Sequence, residues 1–444
     1  MRILTFGWEF PPHISGGLGT ACYGLTKALQ EENVLIIFVV PRAYGDEDID
    51  LVNASQIIIK DPEVEIPSIK EEEKYNLKKE LKMVEVPSSL TPYSESGIWE
   101  DANDIKNWNY EINPEKVPVE IIENKGIRYQ FSGLYGPSLL EEVKRYGQVG
   151  GEIARQYDFD VIHAHDWLTF PAGIAAKNET GKPLVIHVHA TEYDRAGEKN
   201  IDKQIIEIEK NSLRAADLII AVSYWTRKIL IDHYDVSPHK IRVVHNGIQE
   251  ENKVEFPSIP RIGDNIVTFL GRITYQKGPK YFVEAAQKVL DSFPETHFII
   301  AGSGDLLPST IDMVANLKIS SRVHCTGFLK GERIQQIWSI SDVFVMPSVS
   351  EPFGITPLEA IRAGVPVIVS KQSGVAEVLN NVIKVDFWDS EALANAIIKI
   401  LQNKKFANSL KTESKKELEH LTWNIAARKI KKHYHELCSK KHTQ

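Results

Sequence analysis

The sequence has little cysteine. Three occur in 444 residues, Cys22, Cys325 and Cys438, widely spaced and in no Cys-x-x-Cys pair. That pattern argues against a disulfide framework and fits free thiols in a reducing compartment. Positive charge is not in excess either: 52 Lys and Arg against 60 Asp and Glu leave a formal net charge of −8. A mildly acidic chain lacks the broad positive field that sequence-independent nucleic-acid binding draws on, so no nucleic-acid partner is expected. Long apolar runs are missing as well. No stretch approaches the roughly 20 apolar residues that a membrane span needs. The N-terminal MRILTFGWEFPP is a short apolar run broken by Trp8-Glu9 and Pro11-Pro12. Without a basic start, a longer apolar stretch and a small-residue cleavage site, it reads as a first buried strand and not as a signal peptide. These absences together predict a cytoplasmic protein with no integral membrane segment.

What is present is the composition of a globular protein, 43% hydrophobic and 25% charged, long enough for two or three domains. Short apolar runs of strand length, VLIIFVV (34–40), DVIHAH (160–165), LVIHVH (184–189) and DLIIAV (217–222), alternate with stretches of helical period at 139–157, 202–215 and 224–234. Strands apolar on both faces, alternating with helices, imply a parallel sheet covered on both sides. After a polar, proline-containing stretch at 249–263 the rhythm restarts, with strands at 265–270, 297–301, 322–326, 342–346 and 366–369. The expected fold class is α/β, with two doubly wound Rossmann-like domains facing across a cleft. The expected divisions are 1–248, a linker at 249–263, 264–420, and a last helix within 421–444 that packs back on the first domain. Residues 60–120, with the charge run KEEEKYNLKKELK, Trp99 and Trp108, lack clear periodicity and read as an insertion on the first domain near the cleft mouth.

Four segments carry candidate chemistry. In ISGGLGTACYGLTKAL (14–29), Gly16 and Gly17 follow the first strand and open a helix, whose unpaired N–H groups suit an anion. In GRITYQKG (271–278), Arg272 and Lys277 lie at the carboxyl end of a strand, where open parallel sheets bind ligands. Two cations there suit a diphosphate and the charge that builds on it as it leaves. In SVSEPFGITPLEAIRAG (348–364), Glu351 sits in a loop, Gly354, Ile355 and Thr356 open a helix, and Glu359 lies a turn further on, placed for a ribose diol. In HAHDW (163–167) and HVHATE (187–192), residues two apart share a strand face, giving the pairs His163/His165 and His187/His189. His163 and His187 read as hydrogen-bonded interior residues, while His165, Asp166 and His189 are expected to reach the cleft. A zinc site on the histidine pairs is the competing reading. DEDID (46–50) and AGSGDL (301–306) are decoys: the first reads as solvated acid, and the second lacks a full dinucleotide fingerprint.

In this order, WEFPPHISGGLG, DVIHAHDWLT, VIHVHATEYDR, VVHNGI, GRITYQKG and SEPFGITPLEA resemble the family 4 glycosyltransferases and the related glycogen (starch) synthases, which share the GT-B architecture. The resemblance implies a retaining transferase that moves a hexosyl, and in the synthases a glucosyl, group from a nucleotide-diphosphate sugar to a carbohydrate acceptor, with no metal or other cofactor. It implies that Arg272, Lys277 and the Gly17 N–H grip the diphosphate. Glu351 would hold the sugar near its anomeric carbon and Glu359 the ribose. His189 would contact the transferred sugar, with Asp166 close by. Two features depart from the glucan synthases. Ile14 stands where they typically carry a lysine, and SGVAEVL (373–379), with Glu377, is closer to the broader family. The alternatives are a small-sugar or lipid-linked acceptor, a phosphorylase or epimerase on the same scaffold, and a non-catalytic sugar-nucleotide-binding protein.

Overall fold

The computed structural model describes residues 1–14, 16–59, 119–122, 126–197, 200–249, 257 and 259–441. All but the last two residues of the expected insertion at 60–120 lie outside these, as do Trp99, Trp108 and most of the expected linker at 249–263.

The first half of the chain runs β1 (Arg2–Phe6), α1 (Gly17–Glu31), β2 (Leu35–Val40), β3 (Leu51–Asn53), β4 (Val119–Ile122), β5 (Gly126–Tyr129), α2 (Leu139–Gln156) and β6 (Val161–His165). It continues with α3 (Phe170–Thr180), β7 (Leu184–Val188), α4 (Glu192–Ala196), α5 (Lys203–Ala215), β8 (Leu218–Ala221), α6 (Tyr224–Tyr234) and β9 (Ile241–Val243). Seven of these strands form one parallel sheet in the order β3-β2-β1-β6-β7-β8-β9. β4 and β5 form a separate antiparallel pair that the periodicity does not show. Every residue of β6, β7 and β8 is buried, which is why those segments read as continuous apolar runs.

The second half runs β10 (Asn265–Leu270), α7 (Pro279–Ser292), β11 (Thr296–Ala301), α8 (Leu307–Asn316), β12 (Val323–Gly327), α9 (Glu332–Ile340), β13 (Val343–Met346) and α10 (Thr356–Arg362). Then follow β14 (Val367–Ser370), β15 (Ile383–Val385), α11 (Ser390–Gln402), α12 (Lys404–Glu417) and α13 (Trp423–Lys441). Its parallel sheet has the order β12-β11-β10-β13-β14-β15. The fold is α/β, two Rossmann-like domains.

Both sheets reverse strand order beside their first strand, between β1 and β6 and between β10 and β13. Loops diverge at such a switch point and leave a crevice at the carboxyl ends of the strands. The loops after β1, β6, β10 and β13 contain Gly16, Asp166, Arg272 and Glu351. Topology alone therefore brings three of the four candidate segments, and the start of the fourth, to two facing crevices.

α13 does not stay with the second sheet. Trp423, Ala426, Ala427, Ile430 and Tyr434 are buried in one apolar cluster with Ala21, Leu25, Ala28 and Leu29 of α1. Each large apolar side chain buried there contributes about 1.5–3 kcal/mol relative to exposure.

Candidate active site

A cavity of about 630 Å³ lies between the domains. Its first-domain wall includes Gly16, Gly17, Asp166 and His189; its second-domain wall includes Arg272, Lys277, Glu351, Gly354, Ile355, Thr356 and Glu359. Eleven of the twelve residues singled out from the sequence thus share one cavity. The exception is His165. It is 1% exposed and does not line the cavity. Its Nδ1 lies 2.9 Å from Nε2 of His189, so it stands behind that residue and not at the ligand surface.

The glycines at the start of α1 face open space. A Cβ on Gly16 or Gly17 would meet nothing within 4 Å. Gly16 is extended, with φ at −174°, a backbone open to any residue. Neither the fold's packing nor the backbone of Gly16 demands a missing side chain, so the room these residues leave is room in the cavity. Gly278 is different. It is left-handed at φ 65°, and a Cβ there would sit 2.3 Å from the Pro347 carbonyl oxygen. That tight turn follows the short helical segment Tyr275–Lys277 and starts α7 at Pro279, which fixes Lys277 at the end of β10.

Lys277 Nζ bonds Glu351 Oε2 at 2.5 Å, and Ser348 donates to the same carboxylate at 3.2 Å. The backbone of Glu351 is fixed on both sides, its N–H to Gln372 O at 2.9 Å and its carbonyl to Gly374 N–H at 2.9 Å. The cation and the carboxylate to which the resemblance gives separate tasks are therefore one hydrogen-bonded pair. Arg272 donates to Gln276 at 3.0 Å. Thr356 begins α10; Pro357 has no N–H, and the N–H groups of Leu358 and Glu359 both bond the Ile355 carbonyl, at 2.8 and 3.2 Å, which leaves the Thr356 N–H at the mouth of the cavity. Burial raises the Glu359 carboxyl above its ordinary range, opposed by Arg362.

On the first-domain side, Asp166 adopts φ 61°, a left-handed conformation that Asp tolerates better than most residues. Its Oδ1 accepts from the His189 N–H at 2.6 Å and the Ala190 N–H at 3.2 Å, tying the loop after β6 to the loop after β7. Burial pushes the Asp166 carboxyl up to about 7, against the pull of Arg195 and of those two N–H donors. Burial pushes His189 down to about 3, so its imidazole is neutral.

His163 and His187 are interior and hydrogen-bonded to each other, Nε2 to Nδ1 at 3.2 Å. Donor atoms of His163, His165 and His187, and of Cys22, His165 and His189, come within 4.8 Å of one another. The direct bonds between rings engage one nitrogen of each of the four imidazoles with another ring.

DEDID is an exposed loop, in which Asp46 pairs with His13 and Asp48 with Lys27. The AGSGDL glycines line the same cavity and let two loops cross closely: a Cβ on Gly302 would lie 1.8 Å from the Gly271 carbonyl oxygen.

Several lining residues escaped the sequence reading, among them Glu9, Trp167 and Arg195. Arg195 is 8% exposed and bonded to Glu192 at 3.2 Å and Glu209 at 2.7 Å. Its one local signal was the Thr191–Asp194 capping box that opens α4. Contacts across the cleft had none. Ser350 donates to Asp194 at 2.5 Å, and Glu377 accepts from the N–H groups of Tyr224 and Trp225 at 2.9 and 2.6 Å.

Residues 131–252 match the model of Glycosyltransferase Family 4, and residues 251–417 that of Glycosyl transferases group 1. An uncharacterized glycosyltransferase of Methanocaldococcus jannaschii is 26% identical, with 96% of each chain covered. A glycogen synthase of Mycobacterium tuberculosis is 24% identical over 86% of this chain and 80% of its own. The Anabaena protein HepE, solved with UDP-glucose, superposes with a TM-score of 0.62 at 15% identity, with 100% of each chain covered. Among the described residues no helix is long and apolar enough to cross a membrane. With two consecutive family models spanning well over half of the sequence and two Rossmann-like domains enclosing the matched motifs, the chain belongs to the family 4 glycosyltransferases of GT-B fold.

Proposed function

We propose that this enzyme moves a hexosyl group, glucosyl in the first instance, from a nucleotide-diphosphate sugar to a carbohydrate hydroxyl with retention of configuration, as a glycogen (starch) synthase-like transferase. One observation carries this reading: Arg272 and Lys277 of one domain face the open glycine start of α1 in the other across a single cavity. HepE, of the same fold, was solved with UDP-glucose, and the glycogen synthase aligns along most of the chain.

The diphosphate sits between the two cations and the opening turns of α1 and α10. As it arrives it competes for Lys277, which releases Glu351 from the 2.5 Å pair and turns that carboxylate toward the sugar. The bond from the anomeric carbon to the diphosphate oxygen breaks, and the acceptor oxygen bonds to that carbon on the same face. The acceptor's proton passes to the departing diphosphate. Fixed cations and helix N–H groups aimed at that oxygen are worth about 2.7–4 kcal/mol per well-placed donor. They supply the positive charge that the leaving group needs, so the reaction needs no metal. The acceptor lies against the first-domain wall, where Trp167, Leu168 and Tyr135 offer apolar faces beside the carboxylates of Glu9 and Asp166.

The test is a screen of UDP-, ADP- and GDP-sugars in EDTA, with and without glycogen, following released nucleotide and the anomeric configuration of the product. Glycogen-stimulated release from a glucose donor with an α-linked product is the expected result. Release indifferent to glycogen transfers the acceptor assignment to small sugars or lipid-linked sugars. A β-linked product from an α-linked donor overturns retention, and release from no donor overturns the transferase reading.

A further inference from the structure

Behind the cavity lies a cluster that the catalytic reading does not use. β6 and β7 pair in parallel with His165 opposite His187. Side chains two apart share a face, so His163, His165, His187 and His189 all project from one side of the sheet. Their rings are stacked, with centroids 4.3 Å apart for His163/His165 and 4.2 Å for His187/His189. Across the strands they are hydrogen-bonded in pairs, His163 with His187 at 3.2 Å and His165 with His189 at 2.9 Å. His163, His165 and His187 are no more than 2% exposed, and only His189 lines the cavity.

Among the described residues, one side chain outside the four rings hydrogen-bonds to any of them. It is Tyr434, fully buried on α13, whose hydroxyl meets His163 Nδ1 at 2.5 Å. Burial holds all four imidazoles below their ordinary range, so each carries one N–H and one lone pair. If Tyr434 donates to Nδ1 of His163, the His163 proton must sit on Nε2, which donates to Nδ1 of His187 and leaves the His187 proton on Nε2. If Tyr434 accepts, every polarity reverses. The tautomers of His163 and His187 are therefore tied to this one hydroxyl, and the His187 ring stacks on that of His189. Among the described residues no hydrogen-bond partner meets Nε2 of His187 or Nδ1 of His189.

We propose that Tyr434, delivered by the last helix, is a positioning residue for His189: by anchoring His163 at the back of the histidine stack, its hydroxyl fixes the orientation in which the His189 imidazole meets the transferred sugar. This rests on the transferase reading, in which His189 touches the sugar. The last helix, reached through the second domain, thus sets a first-domain contact to the sugar.

Tyr434→Phe keeps the ring and removes the hydroxyl. The expected result is a fall in kcat of about tenfold with the donor KM within about twofold, since a misplaced contact at the reacting centre costs rate before binding. In a His189→Ala background the same substitution is expected to change kcat by less than about twofold, because the group it acts through is gone. Equal losses in both backgrounds, as general destabilisation would give, overturn the proposal; so does unchanged kcat in Tyr434→Phe. Should that variant fail to fold, His163→Asn keeps a partner for Tyr434 and cuts the link to His187; the same pattern is expected and the same outcomes overturn it. Nitrogen and ring-proton chemical shifts of His189 give a readout independent of turnover: displaced ring resonances are expected in Tyr434→Phe, and unchanged ones overturn the proposal. If wild-type protein releases no nucleotide from any donor, the transferase reading has failed, while the ring shifts still decide whether Tyr434 governs the stack.

Discussion

Asp166 joins backbone strain, burial and a structural task in one residue. It holds the His189 and Ala190 N–H groups from a left-handed conformation, and burial pushes its carboxyl up to about 7 from an ordinary 3.8. Between about pH 4 and 7 the folded protein keeps the Asp166 proton and the unfolded chain does not. Stability from this group is therefore full below about pH 4 and is lost as pH rises through about 7. Asp166→Asn retains an acceptor for the two N–H groups and cannot ionise. Its stability relative to wild type is expected to improve by about 2.7 kcal/mol from pH 5 to pH 8, at ~1.4 kcal/mol for each of the roughly two units between pH 5 and the raised value. Thermal melts of both proteins at the two pH values check this, and a difference independent of pH would show the carboxyl already charged at pH 5. The sequence could place Asp166 at a strand end, because apolar runs mark strand ends. It could not show the raised carboxyl, since the groups that bury it come from elements far apart in the chain.

The start and the middle of α1 make opposite demands on glycine. Gly17 opens on the cavity, with nothing within 4 Å of a Cβ. Gly24 lies under α13, and a Cβ there would stand 2.2 Å from the Trp423 indole nitrogen. The indole is buried and cannot swing aside cheaply. Intrinsic helix propensity favours alanine over glycine by about 1 kcal/mol in a helix interior, where Gly24 lies, and not at the first helical residue, Gly17. At Gly24 overpacking, typically 1–3 kcal/mol, outweighs that gain. Gly24→Ala is expected to lower the melting temperature and speed proteolysis within 421–441. Gly17→Ala is expected to leave melting unchanged while increasing the donor KM about tenfold or more. Melting curves, limited proteolysis and donor titrations separate the two; equal behaviour would mean that α13 is not braced on α1 as described. In the sequence both positions are simply glycines within one helical run, and only the docked last helix tells them apart.

Across the whole molecule, the two domains meet through an apolar contact, in which Val222 is buried with Phe353 and Val375, and through polar ties beside the cavity. Glu377 accepts from the first two N–H groups of α6 and lies 3.1 Å from Nε2 of His245, while Ser350 bonds Asp194 one residue away from Glu351. A carboxylate at a helix start is favoured by the helix dipole and by charge-assisted bonds. Here the carboxylate and the helix belong to different domains, so the bond stabilises the closed arrangement specifically. Glu377→Ala is expected to increase the radius of gyration of the nucleotide-free protein and to raise the donor KM several-fold, with each domain still folded. Small-angle scattering with and without nucleotide checks the first and initial-rate kinetics the second; unchanged scattering would place the closing force elsewhere.

The sequence by itself determined the two parallel sheets. Buried strands must be apolar on both faces, and the helices between them must repeat every 3.6 residues, so VIHAH, LVIHV and LIIA announced themselves by composition. It also determined which loops hold the chemistry, because ligands in such sheets gather at strand ends, and Gly17, Arg272 and Glu351 follow strands directly. Tertiary structure alone decided what those residues face. Lys277 and Glu351 are 74 positions apart yet share one hydrogen bond, and Tyr434 reaches His163 across 271 positions. His165 looked like a cleft residue because it ends a strand, but a parallel register sets it behind His189. Periodicity reports which side of its own element a residue occupies. Which other element covers that side depends on how sheets and helices close on one another, and no local pattern encodes it.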